Sequence, residues 1–203
     1  MNSIKQILLI STSIILSSIA LIYYVYLLIV PTLPEMALAH TGTGARVRWH
    51  PFELNPDMPP EGENLAEHIQ RKYGTTPQDS TQARQQLKDV GAALGFSFRL
   101  SSDSRIVNSF AAHCLLDFAA GQGKQHPLKI ALFKAHFSEG LDVSDGDVLV
   151  RIAESVGLEA EAARAALSDP RHEQAVRAQE RVWAENGIRS VPTMIFNETY
   201  VVN

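Results

Sequence analysis

Hydrophobicity is distributed along this chain in two unlike regimes. Residues 7–30 carry no charge. As a helix this run would be about 36 Å long, against a hydrocarbon core of about 30 Å. Its apolar residues occupy every face rather than one stripe, which disfavours a buried strand and helix of a soluble fold. Past Pro31-Thr32-Leu33-Pro34 the pattern turns amphipathic, with apolar positions at helical spacing punctuated by glycine, proline and capping residues. The segment 1–30 is therefore expected to be a transmembrane anchor, with the membrane itself as a partner. A cleaved signal peptide is the alternative, because Ala37-Leu38-Ala39 offers a small-residue cleavage site, but the run exceeds the usual apolar core of about 7–15 residues. Lys5 on one side and Glu35, Arg46 and Arg48 on the other leave the orientation of a single-pass protein open. If the N-terminal segment is foreign to the protein, the expectation becomes cytoplasmic.

The amphipathic part predicts a short β-element, a long block of helices and a closing hairpin. Glu35 to His40 reads as a last helical turn before Thr41-Gly42. Val47, Trp49 and Phe52 have strand character, and Pro51 and Pro56 frame a turn through Asn55. Asn64 caps a helix that stops at Gly74. Thr76-Pro77 opens another, running to about Leu94. Phe96-Ser97-Phe98 reads as extended. Two helices broken near Gly121-Gln122-Gly123 fill 108–137. Asp145, Leu158-Glu159 and Asp169-Pro170 start three more, the last reaching Asn186. Val191-Pro192 then leads into a strand through Phe196, a turn at Asn197-Glu198 and a return strand, Tyr200-Val201-Val202.

Composition narrows the function classes. The formal net charge is −4 and no basic stripe is present, which argues against nucleic acid as a partner. Histidines 40, 50, 68, 113, 126, 136 and 172 are scattered without paired ligand spacing, so no metal site is expected. The chain has 1 cysteine, Cys114. It forms an i, i+4, i+8 line with Phe110 and Phe118, the apolar face of a helix, and is expected to be a buried, inert thiol. Ser190 and Thr193 flank Pro192 with no His-Asp pair nearby in sequence, and are expected to shape the loop rather than to attack a substrate.

The step Gly187-Ile188-Arg189-Ser190-Val191-Pro192-Thr193-Met194-Ile195-Phe196 puts a proline at a strand start, where its missing N–H is tolerated. It resembles the cis-proline loop of thioredoxin-like folds. Ala39-His40-Thr41-Gly42, the run from Val47 through Trp49-His50-Pro51-Phe52-Glu53-Leu54-Asn55-Pro56 to Pro59, Arg105-Ile106-Val107-Asn108-Ser109-Phe110-Ala111-Ala112-His113, and Phe133-Lys134-Ala135-His136-Phe137 resemble, in order, blocks of the FrnE-like branch of the DsbA family. That branch is similar to the 2-hydroxychromene-2-carboxylate isomerase and kappa-class glutathione transferase group. The resemblance covers 36–203. It implies an α/β, thioredoxin-like fold with an inserted helical subdomain at about 63–187, incomplete at both ends.

The same resemblance implies thiol-disulfide oxidoreductase chemistry on a thiol- or disulfide-containing protein or small molecule. Substrate would be held by Val191, Pro192 and Asn55, with Val191-Pro192 cis. It also implies a Cys-x-x-Cys pair, which by register falls at Tyr24-Val25-Tyr26-Leu27, where there is no thiol. Attack on a disulfide needs a thiolate, so no catalytic residue is assigned and the chain is expected to be inactive in exchange. No cofactor is expected. Two alternatives stand beside this reading. A glutathione-dependent isomerase or transferase would need a serine at the first helix; Ser17 and Ser18 lie inside the apolar run. The other is a non-enzymatic, membrane-anchored binding remnant. A final helix after the hairpin, implied by the resemblance, has no counterpart in the chain.

Overall fold

The computed structural model describes residues 48–93, 95–191, 193–196 and 199–202. Within them the order is β1 (Glu63–Asn64), α1 (Leu65–Tyr73), α2 (Pro77–Ala93), β2 (Arg105–Ile106), α3 (Phe110–Gly121), α4 (Gln125–Lys134), a π-helical turn (Ala135–Glu139), α5 (Gly146–Ser155), α6 (Ala160–Leu167), α7 (Pro170–Glu185), β3 (Met194–Phe196) and β4 (Tyr200–Val202). β1 pairs antiparallel with β2, and β3 with β4 in the register Ile195 to Val201.

The helix boundaries follow their capping residues. Asn64 Oδ1 accepts from Ala66 N at 2.9 Å and Glu67 N at 3.1 Å, while Gly74 ends α1 in the left-handed region at φ 69°. Thr76 and Asp79 bond reciprocally, with Asp79 N donating to Thr76 Oγ1 at 3.1 Å and Thr76 N to Asp79 Oδ2 at 2.9 Å. Asp145 and Asp169 cap α5 and α7 through their side chains, and Pro170 occupies the first turn of α7, where a missing N–H costs nothing.

Two apolar clusters organise the helices. Leu115 and Ala119 of α3, Leu128 of α4, Leu149 and Ala153 of α5 and Ala163 of α6 are fully buried together. Small residues at three of these positions let the helices approach closely. The second cluster joins Leu65 of α1, Leu87 of α2, Phe98, Leu100 and Phe133 of α4. It is largely aromatic: Phe96 meets Phe98 edge-on at 4.9 Å and Phe133 meets Phe137 at 4.6 Å. Gly91 of α2 makes room for it, since a Cβ there would lie 2.6 Å from the Phe98 ring.

The structure corrects the strand expected around Trp49 and Phe52: residues 48–52 form no strand, and Val47 lies outside the described residues. Phe96-Ser97-Phe98 likewise forms no strand and is held by packing. The expected apolar anchor, residues 7–30, also lies outside the described residues, and so does the helical turn at Glu35 to His40. Among the described residues no helix is long and apolar enough to cross a membrane.

Candidate functional site

Residues 49–55 have strand-like composition but no strand partner among the described residues. Several of their polar groups are met one at a time by side chains of four helices, while Glu53 Oε1 is buried without a hydrogen-bond partner among the described residues. Gln125 of α4 bridges both backbone groups of Trp49: Trp49 N donates to Gln125 Oε1 at 3.1 Å, and Gln125 Nε2 donates to Trp49 O at 2.9 Å. One side-chain amide thus imitates a ladder pair. Trp49 Nε1 reaches His126 Nδ1 at 3.0 Å. His50 contacts Gln179 at 3.3 Å and meets Trp183 of α7 edge-on at 4.7 Å. A hydrogen bond joins the Phe52 backbone to His113 of α3.

The Glu53 side chain is deeply buried, only 4% exposed, and it pairs with Arg177 of α7. Its backbone N donates to Glu180 Oε1 at 3.2 Å. Arg177 also bonds Glu180 Oε2 at 3.1 Å and lays its guanidinium 3.8 Å from the Phe110 ring centre. Burial, opposed by the hydrogen bond from Arg177, raises the Glu53 pKa above the ordinary carboxylate value.

The loop ends at Asn55, whose C=O accepts from Met58 N at 3.1 Å to close the turn that Pro56 predicts. Its side-chain oxygen receives two donors, Lys72 Nζ at 2.6 Å and His68 Nε2 at 3.2 Å. His68 is itself aimed by Glu63, 2.8 Å from its Nδ1. With Oδ1 held in this way, Asn55 Nδ2 has no hydrogen-bond partner among the described residues.

Asn55 lines a cleft of about 800 Å³ together with His68, Lys72, His113, Lys129 and Phe133. The π-helical turn supplies another wall through His136 and Phe137. Local π geometry in a helix often accompanies a functional cleft. Burial lowers the His136 pKa. His113 is driven furthest, to about 3, by burial and then by the Lys129 charge. It is a neutral imidazole at pH 7. A second, smaller space of about 30 Å³ shares His113, Leu116 and Lys129 with the cleft.

Of the residues expected to bind substrate, Asn55 lies in this cleft. Val191 is half-buried in the loop after α7, does not line the cleft, and has no backbone hydrogen bond among the described residues. Pro192 lies outside the described residues, as does the geometry of its peptide bond. Thr193 Oγ1 donates to Ser190 O at 2.7 Å, a bond spanning position 192 that closes the loop as expected for these two residues. Cys114 is buried at 6% exposure, and burial, aided by the charge of Glu173, pushes its thiol up to about 11. Among the described residues no cluster of three or more His, Cys, Asp or Glu side chains suits a metal ion.

Sequence reading missed the roles of Gln125, Arg177 and Lys129. It also missed a pair formed by Asp117 and His172, 2.8 Å apart. Their partners are far away in sequence, and no local spacing announces them.

Residues 28–203 match the DSBA-like thioredoxin domain, and the chain belongs to that family of thiol-disulfide oxidoreductases. It is 31% identical to a probable DsbA oxidoreductase from Streptomyces coelicolor, whose structure superposes with a TM-score of 0.76 over 83% of this chain and 74% of that one. It is 26% identical to the uncharacterized protein YwbO of Bacillus subtilis (strain 168), over 79% of this chain and 76% of that protein. The fold is also similar to that of a cytosolic disulfide reductase, DsbM of Pseudomonas aeruginosa, solved with GSH, at a TM-score of 0.55 and 21% identity over 85% of this chain and 82% of that one.

These matches correct the membrane assignment. The family domain begins at residue 28, inside the apolar run that was expected to be an anchor. No described helix is long and apolar enough to cross a membrane.

Proposed function

We propose that this chain binds thiol- or disulfide-bearing substrates through its DSBA-like domain and does not itself turn over dithiol-disulfide exchange. The observation that carries this reading is its one sulfur nucleophile, Cys114, buried on α3 with its thiol pKa pushed up to about 11. At neutral pH such a thiol has almost no thiolate, and the chain has no second cysteine to resolve a mixed disulfide. Binding needs neither. The Val191 main chain, which has no backbone hydrogen bond among the described residues, offers strand-like hydrogen bonds to an extended substrate beside Pro192, and Asn55 Nδ2 offers a further donor.

The order of the sequence blocks supports placement in the FrnE-like branch. Insulin reduction by the purified protein should run at the uncatalysed background. Activity clearly above it, abolished by Cys114→Ser, would falsify the proposal.

A second reading, a glutathione-dependent isomerase or transferase, draws on the cleft. Lys72, Arg99 and Arg105 line it beside Asn55 and suit the carboxylates of a tripeptide thiol. Calorimetric titration with glutathione tests it. Binding weakened by Asn55→Ala favours this reading, and the absence of heat removes it.

A further inference from the structure

Four cations line the large cleft, and three of them have main-chain acceptors. Lys72 Nζ donates to Leu54 O at 3.2 Å, Arg99 Nη1 to Glu139 O at 3.0 Å, and Arg105 Nη2 to Glu61 O. Lys129 has no hydrogen bond and no ion pair among the described residues. The acidic residues in the same lining are exposed and otherwise engaged: Glu139 lies 3.8 Å from Lys134 Nζ, Asp142 Oδ1 accepts from Ser144 N at 2.8 Å, and Asp103 Oδ1 accepts from Ser102 Oγ at 3.3 Å. The Lys129 ammonium lies 6.0 Å from the centre of the Phe133 ring. Burial lowers its pKa with no carboxylate to offset the effect.

An ammonium desolvated without a counter-ion is costly, so such groups are normally paired. The cleft that holds Lys129 has apolar and aromatic lining as well: Leu65, Leu100 and Phe133 belong to the second core cluster and Leu132 to the first. The cleft therefore offers, beside three cations engaged by main-chain carbonyls, one ammonium with no hydrogen bond or ion pair among the described residues and apolar side chains in the same lining.

We propose that Lys129 is the counter-ion in a binding site for an amphipathic organic monoanion, a carboxylate or sulfonate carried on an apolar body. The anionic group meets the Lys129 ammonium, and the body covers Leu65, Leu100 and Phe133. Charge complementarity selects this occupant over a neutral apolar one. The ligand needs no sulfhydryl and the site does not include Val191 or Pro192, so it stands apart from the first thiol reading, while it shares its cleft with the glutathione reading.

The probe is 8-anilinonaphthalene-1-sulfonate, titrated into the full chain, with the uncharged N-phenyl-1-naphthylamine as the matched control. The wild type should bind the sulfonate saturably at one site. Lys129→Met should weaken that binding about ten-fold or more, the loss expected for one charge-assisted contact, while leaving the neutral probe unaffected. Lys129→Arg should retain it. Near-UV circular dichroism confirms that each variant is folded. If Lys129→Met does not fold, competition on the wild type decides: octanoate should displace the sulfonate and octanol should not. Equal sulfonate binding by a folded Lys129→Met, equal displacement by octanol, or no saturable binding to the wild type each overturns the proposal. Insulin reduction and glutathione titration report separately on the thiol readings.

Discussion

Two cations bear on His113, and the fold treats them in opposite ways. Arg177 has a full set of partners: the Glu53 carboxylate, Glu180, and the face of Phe110. Lys129 has no charged or hydrogen-bonded partner among the described residues. The difference follows the work each wall performs. Arg177 stands where loop 49–55 must be held against α7, and a buried carboxylate there is tolerable only with its cation in place. Lys129 stands on the wall of an open cleft, where an intramolecular partner would occupy the space a ligand can enter. A cation paired with two carboxylates marks the structural side of His113, although Glu53 Oε1 stays buried without a hydrogen bond among the described residues, and an unmet charge marks the side facing the cleft.

The sharpest way to break this comparison is to remove the paired cation. Arg177→Met leaves Glu53 buried and uncompensated, a change that typically costs about 3–5 kcal/mol for an enclosed pair. Because the Arg177 side chain is 44% exposed, solvent screening brings the expected loss to about 2–3 kcal/mol, read from urea unfolding. A loss below about 0.5 kcal/mol would show that the loop is held by its other contacts alone.

His113 titrates between the two cations. Its folded pKa, about 3, lies below the unfolded value of 6.5. The unfolded state therefore binds the extra proton over this whole range and the native state does not. The stability this supplies is complete above about pH 6.5. It is lost as pH falls toward 3, at no more than about 1.4 kcal/mol per pH unit. Unfolding free energies measured from pH 7 to 4 should show this slope in the wild type and a shallower one in His113→Gln. Parallel curves would place the acid sensitivity elsewhere.

Gln125→Ala removes both contacts to the Trp49 backbone and should cost about 1–2 kcal/mol, two net hydrogen bonds in a partly wet setting. Lys129→Met should act in the opposite direction to Arg177→Met. It relieves an uncompensated desolvation without orphaning a partner, so stability should hold or rise by up to about 1 kcal/mol. Clear destabilisation would mean that Lys129 has a structural partner and would erase the contrast.

The smallest effect is expected at Cys114, which touches neither cation directly. A maleimide should label it only after denaturation, because the anion it would react through is suppressed by burial. Fast labelling of the native protein would place the thiol at the surface.

Much of the architecture was legible without coordinates because its signals are local. Asn64 with Gly74, Thr76-Pro77 with Asp79, Asp145 and Asp169-Pro170 set helix ends through contacts two to four residues apart. The line Phe110, Cys114 and Phe118 showed which face of α3 is buried. The closing hairpin was visible in its two apolar runs. The ordered blocks pointed to the DsbA family, and the missing cysteine pair was plain from the chain itself.

What failed, or could not be read, depends on distance. Trp49 and Phe52 look like strand residues because they are extended and half-buried. Only the tertiary structure shows that Gln125, from 76 positions away, takes the place of a neighbouring strand. The all-round apolar run at 7–30 suggested a membrane anchor on length and hydrophobicity alone; that reading is corrected, since the family domain already begins at 28 and no described helix is long and apolar enough to cross a membrane. Asn55 was foreseen as a site residue, but its orientation was set by His68 and Lys72. The sequence by itself determined the helices, the family and the absence of a reactive cysteine pair, since each depends on residue identity and short-range spacing. The tertiary structure decided which charges are paired and which are not, because pairing is a property of side chains brought together from separate helices.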